Sequence, residues 1–474
     1  MKKKILLISI SLILVLSFVL SSCKPAVAPE TVAETAAETV AETAAETEAV
    51  TAGEWGNIDW KQFAGTELHV LMLSMPISEV YKKHISEFEE LTGMKVTMEL
   101  LNTEDERKKR LTDFAAGTGQ YDLASVAISY REEYAQPGYI EPLTPYLDNP
   151  KLTDKEWYNI DDYPADVIKA GYTKSGDFVY IPYTAEYYLI WYLKDVFDQL
   201  GLKAPQTWDE YEQVVQALDD ARKAGEVSSY AHFDRTLVGS GEAGWSMFCS
   251  ASRYGLDIVD FDTKTVNINS PLGIEFMTWY TDWALKYGPE GSLNWGWSDL
   301  APAFGQGLLS MTIGGNASYT TIENPEKSSV AGKVGYAHPV MKNDGKDPLF
   351  EWGWGINSAS KNKEATWLLI EWMTSPTLIK AIAPEYGCPA RLSVYSDPAY
   401  INAMPSQEFI DNQTWMMKNG VDPSPQLIDP GFAETSQIVS QEMSNVLAGI
   451  KDAKKACADI EAQLVALGYK AYQQ

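Results

Sequence analysis

The sequence predicts an α/β fold, on three observations. Segments of period-two and helical hydrophobic periodicity alternate from residue 67 onward, glycines stop the helical ones, and the chain is long enough to bury large cores. Of its 474 residues, roughly 420 follow a leader and a spacer, room for two sizeable lobes.

The leader comes first. Met1 is followed by Lys2, Lys3 and Lys4, an apolar run from Ile5 to Leu20, then Ser21, Ser22 and Cys23. A basic start, a short greasy stretch and small residues describe a secretory signal over residues 1–22 rather than a spanning helix, so the chain is exported. The quartet Leu20, Ser21, Ser22, Cys23 resembles the bacterial lipoprotein lipobox. That resemblance implies cleavage before Cys23 and lipid on its thiol and new amino terminus, holding the protein on the membrane without crossing it. The other reading is an ordinary signal peptide with an incidental Cys. Residues 23–60 then form a spacer, dominated from Ala26 to Ala52 by Ala, Glu, Thr and Val. With mutually repelling carboxylates and no large side chain to bury, it reads as an extended or partly helical tether.

The elements follow in order. Glu67 to Leu73 reads as a strand, Ser78 to Thr92 as a helix stopped by Gly93, and Lys95 to Leu101 as a strand. Glu104 to Ala116 reads as a helix closed by Gly117 and Gly119, and Leu123 to Ile128 as a strand. Strand, helix, strand, helix, strand is the order of a mainly parallel sheet wrapped by helices. Further helices are predicted at Thr207 to Ala224, Ile274 to Tyr287, Lys363 to Thr374, Pro376 to Ala383 and Ser436 to Leu467.

Composition excludes several functions. The formal net charge of -27 argues against nucleic acid, whose phosphates are bound by Lys and Arg. The four His residues show no ligand spacing with one another or with Cys, so no metal site and no cofactor are expected. Asp257, Asp260 and Asp262 lack the Gly and distal Glu of a calcium loop and read as a turn between short strands. With Cys23 acylated, Cys249, Cys388 and Cys457 allow at most one disulfide. The 15 Trp and 26 Tyr supply flat amphipathic rings, suited to core packing and to gripping a hydroxylated ligand.

Phe88 to Val96, Ala115 to Asp122 and Tyr139 to Leu143 look like the opening of extracellular solute-binding proteins of the sugar-importing ABC transporter group. Ile181 to Tyr183 through Trp191 to Asp195, with Pro205 and Thr207 to Glu210 behind, is similar to the family's most recognisable block. Phe304 to Asn316, Val334 to Pro339, Trp352 to Asn357, Lys361 to Pro376 and Gly387 to Arg391 follow in the family's order. The resemblance implies a two-lobed, type II periplasmic-binding-protein-like fold, each lobe a mainly parallel sheet flanked by helices, joined by a hinge. It places residues 61–182 plus 316–375 in the first lobe and 183–315 plus 376–474 in the second. A ligand enters the cleft between lobes, and closure about the hinge brings both walls onto it.

Sugars and polyols offer hydroxyls and patches of C–H, so carboxylates at the edge and aromatic faces above and below are the side chains to seek. Glu186 matches a carboxylate position of the maltodextrin-binding branch; its other reading is a surface or hinge salt bridge. Trp245 falls near a stacking aromatic of that branch, and Trp352 and Trp354 flank Gly353 at the lobe crossing, where glycines would let backbone approach the solute. Trp245 reads equally as core, whereas at least one of Trp352 and Trp354 is expected to wall the site. Trp297, with Trp295 before it, and the Tyr130 hydroxyl are further candidates. Arg391 either reaches the ligand at the lobe crossing or pins the crossing segment. Asp122 reads as a structural cap. Where many relatives have a Trp after the Met311 strand, this chain has Gly314, Gly315 and Asn316, so a ring is missing unless Tyr319 replaces it.

The resemblance implies a monomeric, non-catalytic, lipid-anchored extracytoplasmic receptor. It would take a carbohydrate or polyol and deliver it to ABC permease subunits. Two other classes fit part of the sequence. One is a secreted glycoside-acting enzyme using acids such as Glu186 and Glu242. The other is the same fold binding a glycerophosphodiester or a peptide.

Overall fold

The computed structural model describes residues 54–418 and 425–473, without the side chains of residues 103, 104, 418 and 425. The signal peptide, Cys23 and the spacer up to residue 53 lie outside the described residues.

The first sheet grows from the opening βαβαβ run. β1 (Glu67–Leu73) pairs in parallel with β2 (Lys95–Leu101), Glu67 opposite Lys95, and with β3 (Leu123–Ala127), Val70 opposite Leu123. The helix Pro76–Thr92 makes the first crossover. Proline starts it, and Gly93 ends it at φ 70°, donating its N–H to the Glu89 carbonyl at 2.8 Å. The helix Thr103–Ala116 makes the second, capped by the Asn102 side chain, which accepts from the Asp105 N–H at 3.0 Å. Two late-arriving strands complete the sheet: β10 (Trp352–Ile356) lies antiparallel between β3 and the short β4 (Ile181–Pro182), giving the order β2-β1-β3-β10-β4.

The second sheet has the order β8-β5-β9, with β5 (Tyr188–Leu193) flanked by β8 (Met311–Gly315) and β9 (Val334–Ala337). Both pairings are antiparallel. Among the described residues only a bridge from Tyr230 to Leu309 adds a parallel contact at its edge, so the expectation of a mainly parallel sheet in each lobe holds for the opening run and not here. Hydrophobic periodicity says which residues extend and is blind to strand direction; long helical connections separate β5 from its partners and permit either.

Two segments pack outside the lobes assigned to them from sequence. β9, within 316–375, pairs in the second sheet. The helix Pro376–Tyr386, assigned to the second lobe, ties to the first-lobe helix Pro76–Thr92 through the Lys83–Glu385 ion pair at 3.0 Å. The predicted helix Ser436 to Leu467 is two helices, Phe432–Leu447 and Ala453–Ala466. Gly449 at φ 69° breaks the chain and Asp452 caps the second piece, accepting the Lys455 N–H at 2.7 Å. The crowded Asp257, Asp260 and Asp262 do form a turn between short strands, β6 (Val259–Asp260) and β7 (Thr265–Val266).

Cys249, Cys388 and Cys457 are buried free thiols. Among the described residues no group of His, Cys, Asp and Glu could hold a metal ion, and no helix is long and apolar enough to cross a membrane.

Candidate binding cleft

Parallel strands direct their carboxyl ends to one edge of a sheet, where helices begin and backbone groups are free, so ligand sites collect there. Leu73 at the end of β1, Met75 just beyond it, and Ala127, Ser129 and Tyr130 at and after the end of β3 face a cavity of about 770 Å³. Trp352 of β10 joins this wall.

The opposite wall starts at Glu186, just ahead of β5. Its backbone exchanges two hydrogen bonds with Phe350, at 2.8 and 3.1 Å, and Tyr188, two residues on, lines the same cavity, as the alternation of an extended chain requires. Tyr188 pairs with Gly315 at the end of β8. A Cβ at Gly315 would sit 3.6 Å from Glu186 Oε2, so of the glycines after Met311 it is Gly315 that borders the carboxylate, while Gly314 makes room for the Trp191 ring.

Trp245 begins the helix Trp245–Tyr254, and its indole N–H donates to the Tyr188 hydroxyl at 2.6 Å. Phe350 and Phe432 meet the ring edge-on, at 4.7 and 5.8 Å. Just before this helix, the turn Ser240–Gly244 holds Glu242 at φ -105°, ψ -112°, outside helical geometry. Glu242 accepts the Trp297 N–H at 2.7 Å, and Trp297, 41% exposed, forms the rim. The turn approaches the first wall closely: a Cβ on Gly241 would lie 3.8 Å from the Tyr130 hydroxyl. Lys174, in the loop closed by the Tyr172–Phe178 bridge, reaches Asp429 at 2.8 Å.

Three ionisable side chains line the cavity: Glu186, Arg235 and Glu242. Burial pushes the Glu186 carboxyl up to about 7, opposed by the positive charge of Arg235, and no protein hydrogen bond contributes to the shift. Part of the Glu186 side chain remains accessible from the cavity although protein surrounds it. Arg235 lines the same space; burial works against its charge, but Tyr188, Asp234 and Glu242 outweigh it and raise its hold on the proton.

Five of the eight candidates from sequence therefore converge: Glu186, Trp245, Trp352, Tyr130 and Trp297. Three do not. Trp354 is fully buried, stacked on Tyr183 at 4.5 Å, because period two puts it on the Trp352 face of β10 but deeper under the first lobe's core. The intervening Gly353 makes room for the Tyr180 ring, not for a solute. Arg391 is fully buried and pins the crossing segment, donating Nε to the Thr374 carbonyl at 2.7 Å and Nη1 to the Asn159 carbonyl at 3.0 Å. Tyr319 does not replace the missing Trp: its ring packs against Gly387 and its hydroxyl donates to the Pro384 carbonyl at 3.0 Å. Trp295 packs edge-on against Phe233 at 5.4 Å, and Asp122 is structural, accepting from the His69 N–H at 2.9 Å and the Ser360 hydroxyl at 2.6 Å.

Sequence reasoning missed Tyr188, Arg235, Phe350 and Phe432. Alternation from Glu186 could have found Tyr188; the others come from distant segments with no local pattern. A second cavity of about 520 Å³, among Trp208, Tyr211, His232, Trp279 and Trp283, lies wholly against the second sheet and its helices. Lobe closure would not remodel it, so it is not the candidate cleft.

Two lobes with sheets of their own, and a cavity walled from both, define a hinge-type binding protein of the type II periplasmic class. The bacterial extracellular solute-binding protein model matches residues 75–378. The chain belongs to that family. It is 26% identical over 359 residues to the erythritol/L-threitol-binding protein of Mycolicibacterium smegmatis, covering 72% of this chain and 73% of that one. An ABC transporter solute-binding protein from Agrobacterium radiobacter, solved with ribitol, superposes with a TM-score of 0.77 at 24% identity, covering 85% of this chain and 99% of that one. One from Agrobacterium vitis, solved with D-mannitol, gives 0.72 at 25% identity, with 85% and 99% covered.

Proposed function

We propose that the protein is the extracytoplasmic receptor of an ABC importer, capturing a small sugar or polyol in the cleft and delivering it to membrane permease subunits. The observation that carries this reading is the pairing, in one cavity walled from both lobes, of a carboxylate without a protein hydrogen bond (Glu186) and aromatic walls (Trp245, Trp352). Hydroxyls suit the carboxylate and C–H patches suit the rings. The relatives named for erythritol/L-threitol or solved with D-mannitol support the solute class. The protein acts as a monomer and without catalysis; the hinge closes on the solute and releases it unchanged. A thermal-shift screen against sugars and polyols is the test: a solute at a hundred times its Kd should stabilise the protein by about 2.7 kcal/mol and be recovered intact. Glu186 and Glu242 line the same cavity, so product accumulating with protein and time would replace this reading with a glycoside-acting enzyme.

Lipid on Cys23 would tether the receptor to the bacterial cell membrane. Cys23→Ser is expected to move the protein from the membrane fraction to the soluble one with its melting temperature unchanged. Undiminished retention of the variant on the membrane would exclude the anchor.

A further inference from the structure

We infer that Arg235 and Glu186 form a donor–acceptor couple that grips a vicinal diol of a compact, neutral polyol, an inference that rests on the solute-binding reading above. Arg235 is 7% exposed and lines the cavity, and its Nε is buried without a hydrogen-bond partner. The nearby acids are committed elsewhere. Asp234 accepts the Ser246 and Ser250 hydroxyls at 2.5 and 3.3 Å, and Glu242 accepts the Trp297 N–H at 2.7 Å. A buried guanidinium with an unmet donor is costly in the empty protein, so the site is built to have acceptors supplied from the cavity.

Glu186 poses the complementary demand, for donors, in the same cavity. A hydroxyl meets both, since it donates and accepts. The planar fork of an arginine spans two neighbouring oxygens, which fits adjacent hydroxyls better than isolated ones. An anion would satisfy Arg235 but set negative charge beside Glu186 and Glu242, and a cation would reverse the fault. The aromatic walls Trp245 and Trp352 suit the C–H patches of such a solute.

Isothermal titration of the purified protein with erythritol, ribitol, D-mannitol, D-glucose and glycine betaine tests the couple. Each polyol is compared with its α,ω-diol lacking internal hydroxyls: 1,4-butanediol, 1,5-pentanediol and 1,6-hexanediol. At least one polyol should bind, with its stripped diol a hundredfold weaker or worse. Arg235→Lys, which keeps the charge but loses the fork, should weaken that polyol more than tenfold. Adding Glu186→Gln should then cost less than the product of the single losses, because both residues hold one diol.

Binding of none of the polyols or D-glucose would overturn the solute reading itself. Binding confined to D-glucose would leave that reading standing and overturn the polyol class, and a folded Arg235→Lys protein with unchanged polyol affinity would leave it standing and overturn the couple. Tighter binding of glycine betaine than of any polyol would overturn the neutral class. Should Arg235→Lys fail to fold, the stripped diols decide on the wild-type protein: affinities within threefold of the parent polyols would overturn the couple.

Discussion

Trp352→Ala is expected to weaken solute binding more than tenfold while leaving the protein folded, whereas Trp354→Ala should unfold the first lobe. The two rings are two residues apart on one strand face, and the difference is depth. Trp352 is 6% exposed and faces the cavity, with Phe350 edge-on at 5.7 Å. Trp354 is fully buried, stacked on Tyr183 and edge-on to Tyr81 at 5.9 Å. Removing a buried Trp costs about 3–5 kcal/mol of stability. Losing a ring that covers a bound solute costs roughly 1.5–3 kcal/mol of binding, a factor of ten or more. Trp245→Ala combines the effects, because its N–H holds the Tyr188 hydroxyl while its ring walls the cleft. Trp245→Phe, which keeps much of the ring, separates them. Calorimetric titration and thermal melting on the same samples make the comparison. Binding lost only in step with melting for Trp352 would make it a core residue like its neighbour.

Glu186→Gln is expected to have two opposite, pH-dependent effects. The Glu186 carboxyl is raised to about 7 in the folded protein by burial, against about 4.3 in an unfolded chain. Between those values the folded state binds more protons than the unfolded one, so stability falls as pH rises. The contribution is fully present below the unfolded value and is lost as pH passes through about 7, a total of roughly 3 kcal/mol. The solute-free Gln variant should therefore melt higher than wild type at pH 8 and close to it at pH 4. Affinity should behave in reverse. An ionised Glu186 accepts solute hydroxyls through charge-assisted bonds worth roughly 1.5–3 kcal/mol, so the variant should bind about tenfold more weakly at pH 8. That deficit should shrink toward pH 5.5, where wild type is protonated too. An anionic solute would bind the variant more tightly, and a pH-independent difference would put Glu186 outside the site.

The comparison must be made between variants rather than along the wild-type curve alone. His232, buried and hydrogen-bonded to Tyr211 at 2.6 Å, is held down to about 4 by burial. It contributes stability that is present above its unfolded value and lost as pH falls toward 4, opposite in sign to Glu186. The difference between wild type and Glu186→Gln isolates the carboxylate.

The depth difference between Trp352 and Trp354 also shows how far a sequence reading reaches. The Trp-Gly-Trp pattern of residues 352–354 places both rings on one face of a strand. Which of them meets a cleft depends on Tyr183 and Tyr81, remote in sequence. The same holds for Tyr319, which Gly387 accepts into a packing slot, and for Arg391, whose partners Thr374 and Asn159 come from separate segments.

By itself the sequence determined the opening elements and the family, and it named side chains on both walls of the candidate cleft. Strand alternation and glycine-stopped helices are local properties, so β1 to β3 and both crossover helices emerged nearly to the residue. The ordered motifs gave the family, and the block around Glu186 gave the carboxylate. Only the tertiary structure decided the direction of the strands beside β5, the side of the lobe boundary on which β9 packs, and the union of Glu186, Arg235, Trp245, Trp352 and Phe432 in one cavity. The physical reason is range: periodicity and capping act over a few neighbouring residues. Strand direction, burial depth and the meeting of opposite charges are fixed by segments that become neighbours only when the chain crosses between its lobes.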